Sequence, residues 1–344
     1  MASVLKVHFP MIRDREEVIK EIDANKELQL IFDGWTNEQQ KIFLDICTGM
    51  RGARILSDIM FKESLNPDTA PERLEDLLTL ILKKKVKILK VLPNDSARIS
   101  AESSLLIMDI VVQLEDGSIA NVEVQRMGYY FPGQRSACYS ADLLLRQYKR
   151  VKGEKGKKFS YRDIKKVYTI VFYEKSTQEF HRFPEDIYIH RSKQEADTGL
   201  EIDLLQEYAF IALDIFRKKL HNKGVEKKDR LEAWLTFLSE DDPEFILKLI
   251  EVYPEFETLY QEVYELCRNT ERIMGIFSKE LEELDKKTVE YMIDEMQGTI
   301  DAQNEQLSQK DEQLSQKDEQ LSRQRETIEQ MQKELEEFRR SEKQ

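Results

Sequence analysis

The chain has 344 residues and a net charge of −13, and apolar residue types make up 40% of it. That is enough apolar content for a hydrophobic core in one large or two small domains, and 16 Phe and 13 Tyr argue against wholesale disorder. The acidic excess argues at first against a nucleic-acid partner, because phosphate backbones are bound by Lys and Arg. Residues 280–344 hold 19 acidic and 10 basic residues, however, so most of the excess lies in the tail.

Cysteine and histidine usage excludes several kinds of site. Cys47, Cys138 and Cys267 are far apart and form no CxxC pair, which argues against a disulfide framework and a structural zinc site. The histidines are scattered without an HExxH pattern, which argues against zinc hydrolase chemistry. No apolar run approaches 18 residues and the N-terminus carries no signal pattern, so we expect a cytoplasmic protein with no membrane partner.

Helical periodicity is strong near the N-terminus. Apolar residues recur at helical spacing from Val18 to Ile31, and Thr36 opens a second apolar-periodic run that ends at Gly49. We interpret 1–50 as a helical N-terminal extension whose role is open. A further helix is predicted over 72–82, with Pro71 in its first turn.

A β-rich region follows. Residues 85–93 are β-like, and 105–125 form the clearest hairpin, with strands over 105–114 and 119–125 and a type I′ turn at Asp116-Gly117. A helix over 134–150 and a buried strand over 167–174 complete an α/β core, which we assign to 51–195.

The rest of the chain is predicted to be helical. Candidate helices of a helical region at 196–297 are 200–220, 226–239, 243–251, 255–269 and 271–297. In the tail, 298–344, EQLSQKD occurs twice, and a seven-residue period aligns Leu307, Leu314, Leu321, Ile328 and Leu335. One apolar residue per heptad favours a marginal coiled coil that forms only with a partner, which predicts a homo-oligomer. A free charged helix is the alternative.

The hairpin carries the chemical signal. Asp109 is a carboxylate inside an apolar strand, which is costly unless it is paired or bound to a cation. If the strands pair around the turn, Asp109 and Glu123 face one small volume. Two carboxylates and a main-chain carbonyl such as that of Val124 suit Mg²⁺ or Mn²⁺. The alternative is a solvated hairpin face with incidental acids.

Asp109 followed by Glu123-Val124-Gln125 resembles a D…(D/E)xK motif, with Gln in place of Lys. Other blocks accompany it in chain order: 55–62 (ILSDIMFK) with its DxxFK pattern, the helix at 72–78, 117–125 (GSIANVEVQ), the helix with Arg135, Tyr139 and Gln147, and the strand 167–173. Together these blocks resemble the PD-(D/E)XK nuclease family transposases, also called recombination-promoting nucleases or putative transposases. The resemblance covers about 51–240.

The resemblance implies a restriction-endonuclease-like fold and Mg²⁺- or Mn²⁺-dependent hydrolysis of DNA phosphodiesters in a bacterial cytoplasm. It implies that Asp109 and Glu123 hold the metal, and that Gln125 takes the place of the catalytic Lys. Gln125 can position water but supplies no positive charge. Glu75 is implied as a further acid.

Four residues are weaker candidates for the site. Asp58 and Lys62 lie in the DxxFK block and would equally serve as a cap or a surface ion pair. Tyr139 and Gln147 would either support the site or simply pack.

A basic segment is the predicted DNA contact. Residues 146–166 contain ten Lys or Arg and two acids, interleaved with Tyr148, Phe159 and Tyr161, and 83–90 adds five Lys. Such patches neutralise phosphates, although a solvated loop is the alternative reading. No helix-turn-helix or zinc-finger pattern is evident, so we expect weak sequence preference. The candidate DNA-binding residues are Arg135, Arg146, Lys149, Arg150, Lys152, Lys157 and Lys158.

Two functions are therefore weighed. The first is a metal-dependent DNA endonuclease associated with recombination or transposition, which Asp109 and Glu123 favour. The second is a catalytically weak or inactive DNA-binding or assembly protein that keeps the nuclease fold, which Gln125 and the long tail favour.

Overall fold

A computed structural model describes residues 3–93, 109–126, 132–225 and 229–282, together with 296, 300, 303–304, 306–315, 317, 320, 323–324 and 331 in the tail. The chain divides into two compact units, Met1–Thr288 and Val289–Gln344. The predicted helical extension, nuclease-like core and helical region all fall largely within the first unit, and the heptad tail falls within the second.

Helices and strands alternate in the first unit. The described helices are α1 (Val4–His8), α2 (Arg15–Ala24), α3 (Lys26–Asp33), α4 (Asn37–Cys47), α5 (Asp58–Ser64), α6 (Pro71–Leu82), α7 (Pro132–Lys155), α8 (Leu213–Lys223), α9 (Arg230–Ser239), α10 (Pro243–Val252), α11 (Phe256–Cys267) and α12 (270–282). The described strands are β1 (Ile88–Val91), β2 (Ile110–Leu114), β3 (Ile119–Gln125), β4 (Val167–Tyr173), β5 (Ile189–Lys193) and β6 (Gln206–Ala212).

The strands form one mixed sheet in the order β1-β2-β3-β4-β6-β5. The central strands β3, β4 and β6 run parallel, while β1, β2 and β5 pair antiparallel with their neighbours. Helix α7 provides the crossover between β3 and β4, as parallel neighbours require. This mixed sheet with flanking helices fits the predicted α/β class.

The predicted hairpin is present as β2 and β3, but its turn differs from the prediction. Of the predicted first strand, 105–114, residues 105–108 lie outside the described residues, and Asp109 precedes β2 without belonging to it. Gly117 takes a φ of +85° while Asp116 keeps a negative φ, whereas a type I′ turn needs positive φ at both central residues. Because the Gly117 N–H donates to Leu114 O at 2.9 Å and Leu114 is bonded to Ser118, the loop has three residues. A positive-φ glycine closing a three-residue loop is the usual alternative to the two-residue turn.

The helix predicted over 200–220 is wrong for its first half. Residues 206–212 form β6, inside the sheet, and helix α8 begins only at Leu213. Leu205 has a φ of +65°, which no α-helix accommodates. A short apolar run such as 208–212 cannot be assigned to strand or helix from periodicity alone, which is why the sequence does not predict β6. Its partner β5 (IHRSK) contains no apolar run that would indicate a strand.

The hydrophobic core draws on three of the predicted segments. From the N-terminal helices, the Phe9 ring lies 5.0 Å from that of Tyr264 and the Trp35 ring lies 4.9 Å from that of Phe277. Phe9, Tyr264 and Phe277 belong to one cluster with most of the buried side chains of β4 and β6, and Trp35 packs against it. This cluster contains residues from both sides of the predicted boundaries at 50 and 195. A smaller cluster under α7 contains Val111 and Tyr139.

In the second unit, every described residue is helical and exposed. Leu307 and Leu314 of the predicted stripe are more than half exposed in the single chain, while Leu321, Ile328 and Leu335 lie outside the described residues. Across both units, the described helices include none with the length and apolar character needed to cross a membrane.

Candidate active site

The hairpin brings two carboxylates together. Ile110, the first residue of β2, pairs with Val122, and Asp109 directly precedes it, outside the strand. Asp109 lies close enough to Glu123 for its charge to raise the pKa of that carboxyl. The Val124 N–H donates to Asp109 Oδ2 at 2.6 Å, which fixes the Asp109 side chain against β3. We refer to Asp109 and Glu123 as the carboxylate pair.

Glu123 is the less well compensated member of the pair. Its side chain is 4% exposed, and Oε1 accepts no hydrogen bond from the described residues. Burial raises the pKa of Glu123 to about 8, and the neighbouring charge of Asp109 contributes to the rise. The Asn121 amide and the Arg135 charge act in the opposite direction without cancelling it. A buried carboxylate that is only partly compensated and lies beside a second acid is a position that a cation would stabilise.

Lys62 supplies a positive charge next to the pair. From α5, its Nζ lies 2.5 Å from Asp58 Oδ1 and 3.8 Å from Asp109 Oδ1. Burial acts to lower the pKa of Lys62, but the hydrogen bond to Asp58 and the charge of Asp109 raise it above its usual value. Glu123 also contributes to this rise. Lys62 is therefore an ammonium ion at neutral pH, not a base.

Gln125 and the Val124 carbonyl complete the site on β3. Gln125 lies two residues beyond Glu123 on the same face, and its buried Oε1 accepts no hydrogen bond from the described residues. In an antiparallel pair, the N–H and the C=O of one residue both point towards the same neighbouring strand. Because the Val124 N–H points to Asp109, the Val124 carbonyl faces that side as well.

Glu75 is placed away from the pair. Its carboxylate accepts hydrogen bonds from Lys87 Nζ at 2.5 Å and from the Ile88 N–H at 2.9 Å. Ile88 pairs with Leu114, which is five residues along β2 from Asp109, or about 16 Å at the usual rise of a strand. The structure does not bring this predicted acid to the site.

The candidates on α7 separate along its length. At its start, Arg135 stacks on the Tyr139 ring at 5.1 Å and its charge reaches Glu123. Tyr139 packs in the smaller hydrophobic cluster. Further along, Gln147 Oε1 accepts from the Lys165 N–H at 2.5 Å, so Gln147 holds the chain that enters β4.

The predicted DNA-binding segment lies at the opposite end of the sheet. Lys166 O accepts a hydrogen bond from the Ile119 N–H, at the turn end of the hairpin. Lys84 from the second lysine-rich stretch reaches Asp116 at 3.0 Å in that same turn. Arg135 is thus the predicted DNA contact that lies beside the pair, whereas Arg146, Lys149, Arg150, Lys152, Lys157 and Lys158 extend away from it on α7 and the segment that follows.

Arg126 is a buried residue beside the site that sequence reasoning did not identify. It follows Gln125 directly and pairs with Glu174 and Glu280, both at 2.9 Å. Glu280 of α12 also pairs with Arg54 at 2.9 Å. These partners are up to 226 residues apart in the sequence, so their pairing could not be predicted from spacing. The one local signal is Arg126 itself, a charged residue at the end of a buried strand.

The site fits a hard divalent cation with few protein ligands. The described residues contain no group of three His, Cys, Asp or Glu side chains arranged to hold a metal. Mg²⁺ commonly binds one or two carboxylates and keeps several waters. Two carboxylates, one with an unbonded buried oxygen, and a main-chain carbonyl meet that requirement.

A family model described as PD-(D/E)XK nuclease family transposase matches residues 55–292. The match contains the carboxylate pair, Gln125, Lys62 and Arg126. No curated protein matches the chain. No solved structure matches it either.

Proposed function

Because the chain belongs to the PD-(D/E)XK nuclease family transposases, we propose that it is a metal-dependent DNA endonuclease associated with recombination or transposition. The observation that carries the proposal is the carboxylate pair, in which Glu123 is buried with an unbonded oxygen and is subject to the charge of Asp109. The proposed reaction is hydrolysis of a phosphodiester bond.

In this proposal Asp109, Glu123 and the Val124 carbonyl hold Mg²⁺ or Mn²⁺. When bound, such an ion lowers the pKa of a coordinated water and stabilises charge on a phosphoryl oxygen. Glu123 must give up its proton to act as a ligand, since metal ligation requires the carboxylate form.

The motif lysine that this chain lacks would orient the water and supply a positive charge, and we assign the first role to Gln125 and the second to Lys62. The Gln125 amide can accept from and donate to a water, and so orient it, but it carries no charge. The Lys62 ammonium, 3.8 Å from Asp109, supplies the positive charge that a developing phosphorane oxyanion needs. Asp58 holds Lys62 in place through their 2.5 Å contact.

Arg135 is proposed to contact the DNA backbone beside the scissile phosphate, because its charge lies within reach of Glu123. The remaining cations of 146–166 would contact nucleic acid farther from the cut. The acidity of the whole chain does not oppose this, since the excess acid is concentrated in the tail.

The alternative is a catalytically weak or inactive DNA-binding or assembly protein, favoured by the neutral Gln125 and by the heptad tail. On this proposal, the exposed Leu307 and Leu314 mark a surface for helix pairing between copies of the chain. Deleting 298–344 and measuring mass in solution tests assembly. An oligomer that persists after the deletion would rule out the coiled-coil role.

Plasmid nicking tests the enzyme proposal. Supercoiled plasmid would be incubated with Mg²⁺ or Mn²⁺ and wild type, Asp109→Ala, Glu123→Ala or the control Glu251→Ala, which changes an exposed acid on α10. We expect nicking by wild type and the control, and a loss of at least about 100-fold in both site variants. Equal traces in all four samples would indicate contamination and refute the proposal. Binding without nicking by wild type would favour the alternative.

A further inference from the structure

A cluster of three aromatic rings stands on the surface at the far end of α7. Tyr148 and Tyr161 are stacked with ring centroids 6.1 Å apart and an interplanar angle of 11°. Phe159 packs edge-on against both, at 5.5 and 5.4 Å. Tyr161 is 75% exposed, and none of the three rings belongs to either hydrophobic core cluster. We call residues 148–165 the aromatic tip.

The aromatic tip is strongly basic. Of its two acids, Asp163 is paired with Lys155 at 2.5 Å, and Glu154 is exposed. Lys152 donates to the Tyr148 hydroxyl at 2.8 Å and lies 5.1 Å from the centre of that ring. Seven cations of the tip form no ion pair with any residue that the structure describes: Lys149, Arg150, Lys152, Lys157, Lys158, Arg162 and Lys165.

We propose that the aromatic tip is a binding site for single-stranded DNA. Exposed aromatic rings surrounded by Lys and Arg suit a strand whose bases are free to stack, because every base offers a π-face and every linkage a phosphate. A duplex hides the faces of its bases, so it would engage the cations of the tip and leave the Tyr161 ring unused. The combination of charge and exposed ring therefore favours a single strand.

The tip is separate from the carboxylate pair. Arg135, whose charge reaches Glu123, and Lys152 are 17 residues apart on one helix, which corresponds to about 25 Å. Duplex DNA spanning that distance would contain about seven base pairs. The proposal rests on the DNA substrate proposed above and specifies its form: a duplex cut at the pair, with an unpaired segment held about seven base pairs away.

Equilibrium binding tests this assignment without cleavage. Fluorescence anisotropy would be measured in EDTA with a labelled 20-nucleotide thymidine strand and with a 20-base-pair duplex. The full-length proteins are wild type, Tyr161→Ala, Tyr161→Phe and Phe183→Ala, the last removing a half-exposed ring outside the tip.

Loss of one stacked base should weaken single-strand binding by Tyr161→Ala about 5- to 150-fold. Duplex affinity should change less than about twofold, because duplex bases remain stacked on each other. Tyr161→Phe, which keeps the ring, and Phe183→Ala should bind the strand as wild type does. A double variant, Lys157→Ala with Lys158→Ala, should reduce the salt dependence of single-strand binding, with a slope smaller by about 1.4.

Two outcomes would overturn the proposal. One is single-strand affinity that is unchanged in Tyr161→Ala; the other is an equal loss for duplex and single strand, which would assign the tip to duplex DNA. Neither outcome depends on whether the protein nicks plasmid, so failure here and failure of the endonuclease proposal are distinguishable.

Discussion

Replacing Glu123 with Gln should stabilise the metal-free fold, and the gain should grow as the pH rises. Burial, with the charge of Asp109, raises the pKa of Glu123 to about 8 in the folded chain, against an ordinary value of 4.5. The folded state therefore holds its proton more tightly than the unfolded state. The contribution of Glu123 to the free energy of unfolding is therefore fully present below pH 4.5 and is lost as the pH rises through 8.

The magnitude follows from the separation of the two values. Between pH 5 and pH 7, the Glu123 carboxyl is protonated in the folded chain and ionised in the unfolded chain. Over this range, each pH unit therefore lowers the free energy of unfolding by about 1.4 kcal/mol. At pH 7 the cost relative to a neutral side chain is about 3 kcal/mol, and at pH 5 it is below about 1 kcal/mol. Gln has nearly the same shape and never ionises, so it avoids this cost.

Urea denaturation in EDTA at pH 5 and pH 7 measures the effect. The free energy of unfolding of Glu123→Gln should exceed that of wild type by about 2 to 3 kcal/mol more at pH 7 than at pH 5. Glu251→Gln, which changes an exposed carboxylate on α10, is the control and should show no such difference. A gap between Glu123→Gln and wild type that is the same at both pH values would refute the reasoning that Glu123 is desolvated beside a second acid.

Four further outcomes follow from the site. Mg²⁺ affinity measured by calorimetry should rise up to about tenfold per pH unit below pH 8 and level off above it, because Glu123 must deprotonate; a flat profile would contradict its role as a ligand. Lys62→Ala should slow plasmid nicking about 100- to 1000-fold, and activity within threefold of wild type would remove Lys62 from the account. Gln125→Lys in the Lys62→Ala background should recover part of the rate, since it returns a cation to the site; Gln125→Met in the same background is the control. Glu75→Gln should nick within about twofold of wild type because Gln can still accept from Ile88, and a large loss would restore Glu75 to the site.

The hairpin could be predicted from the sequence because its signals are local. Asp116-Gly117 separates two apolar runs, which is enough to predict the hairpin. Counting back from a two-residue turn there would set Asp109 opposite Val124, however, and it is the three-residue loop that shifts the register by one residue and pairs Ile110 with Val122. The turn type was wrong because Asp-Gly is compatible with more than one loop length, and the choice depends on how Leu114 and Ser118 are bonded.

What could not be predicted depends on contacts between distant residues. Lys62 reaches Asp109 from a helix 47 residues earlier, so spacing could suggest the DxxFK block but not its 3.8 Å approach. The basic segment follows the hairpin in sequence, yet the 24 residues of α7 carry it to the other end of the sheet. Strand β6 was assigned to a helix because its burial between β4 and β5 is a property of the assembled sheet.

A metal-preference switch tests most directly whether Asp109 is a metal ligand of a nuclease. Asp109→Cys would be made with Cys138→Ser, which removes the exposed cysteine and leaves the buried Cys47 and Cys267. A thiolate is a poor ligand for Mg²⁺ and a good one for a soft ion such as Cd²⁺. The account predicts that the variant does not nick plasmid with Mg²⁺ and regains nicking with Cd²⁺, whereas Asp109→Ala stays inactive with both ions. Two results would contradict the assignment of Asp109 as a metal ligand. One is that Asp109→Cys responds to the two ions as wild type does; the other is that Cd²⁺ restores no nicking to it.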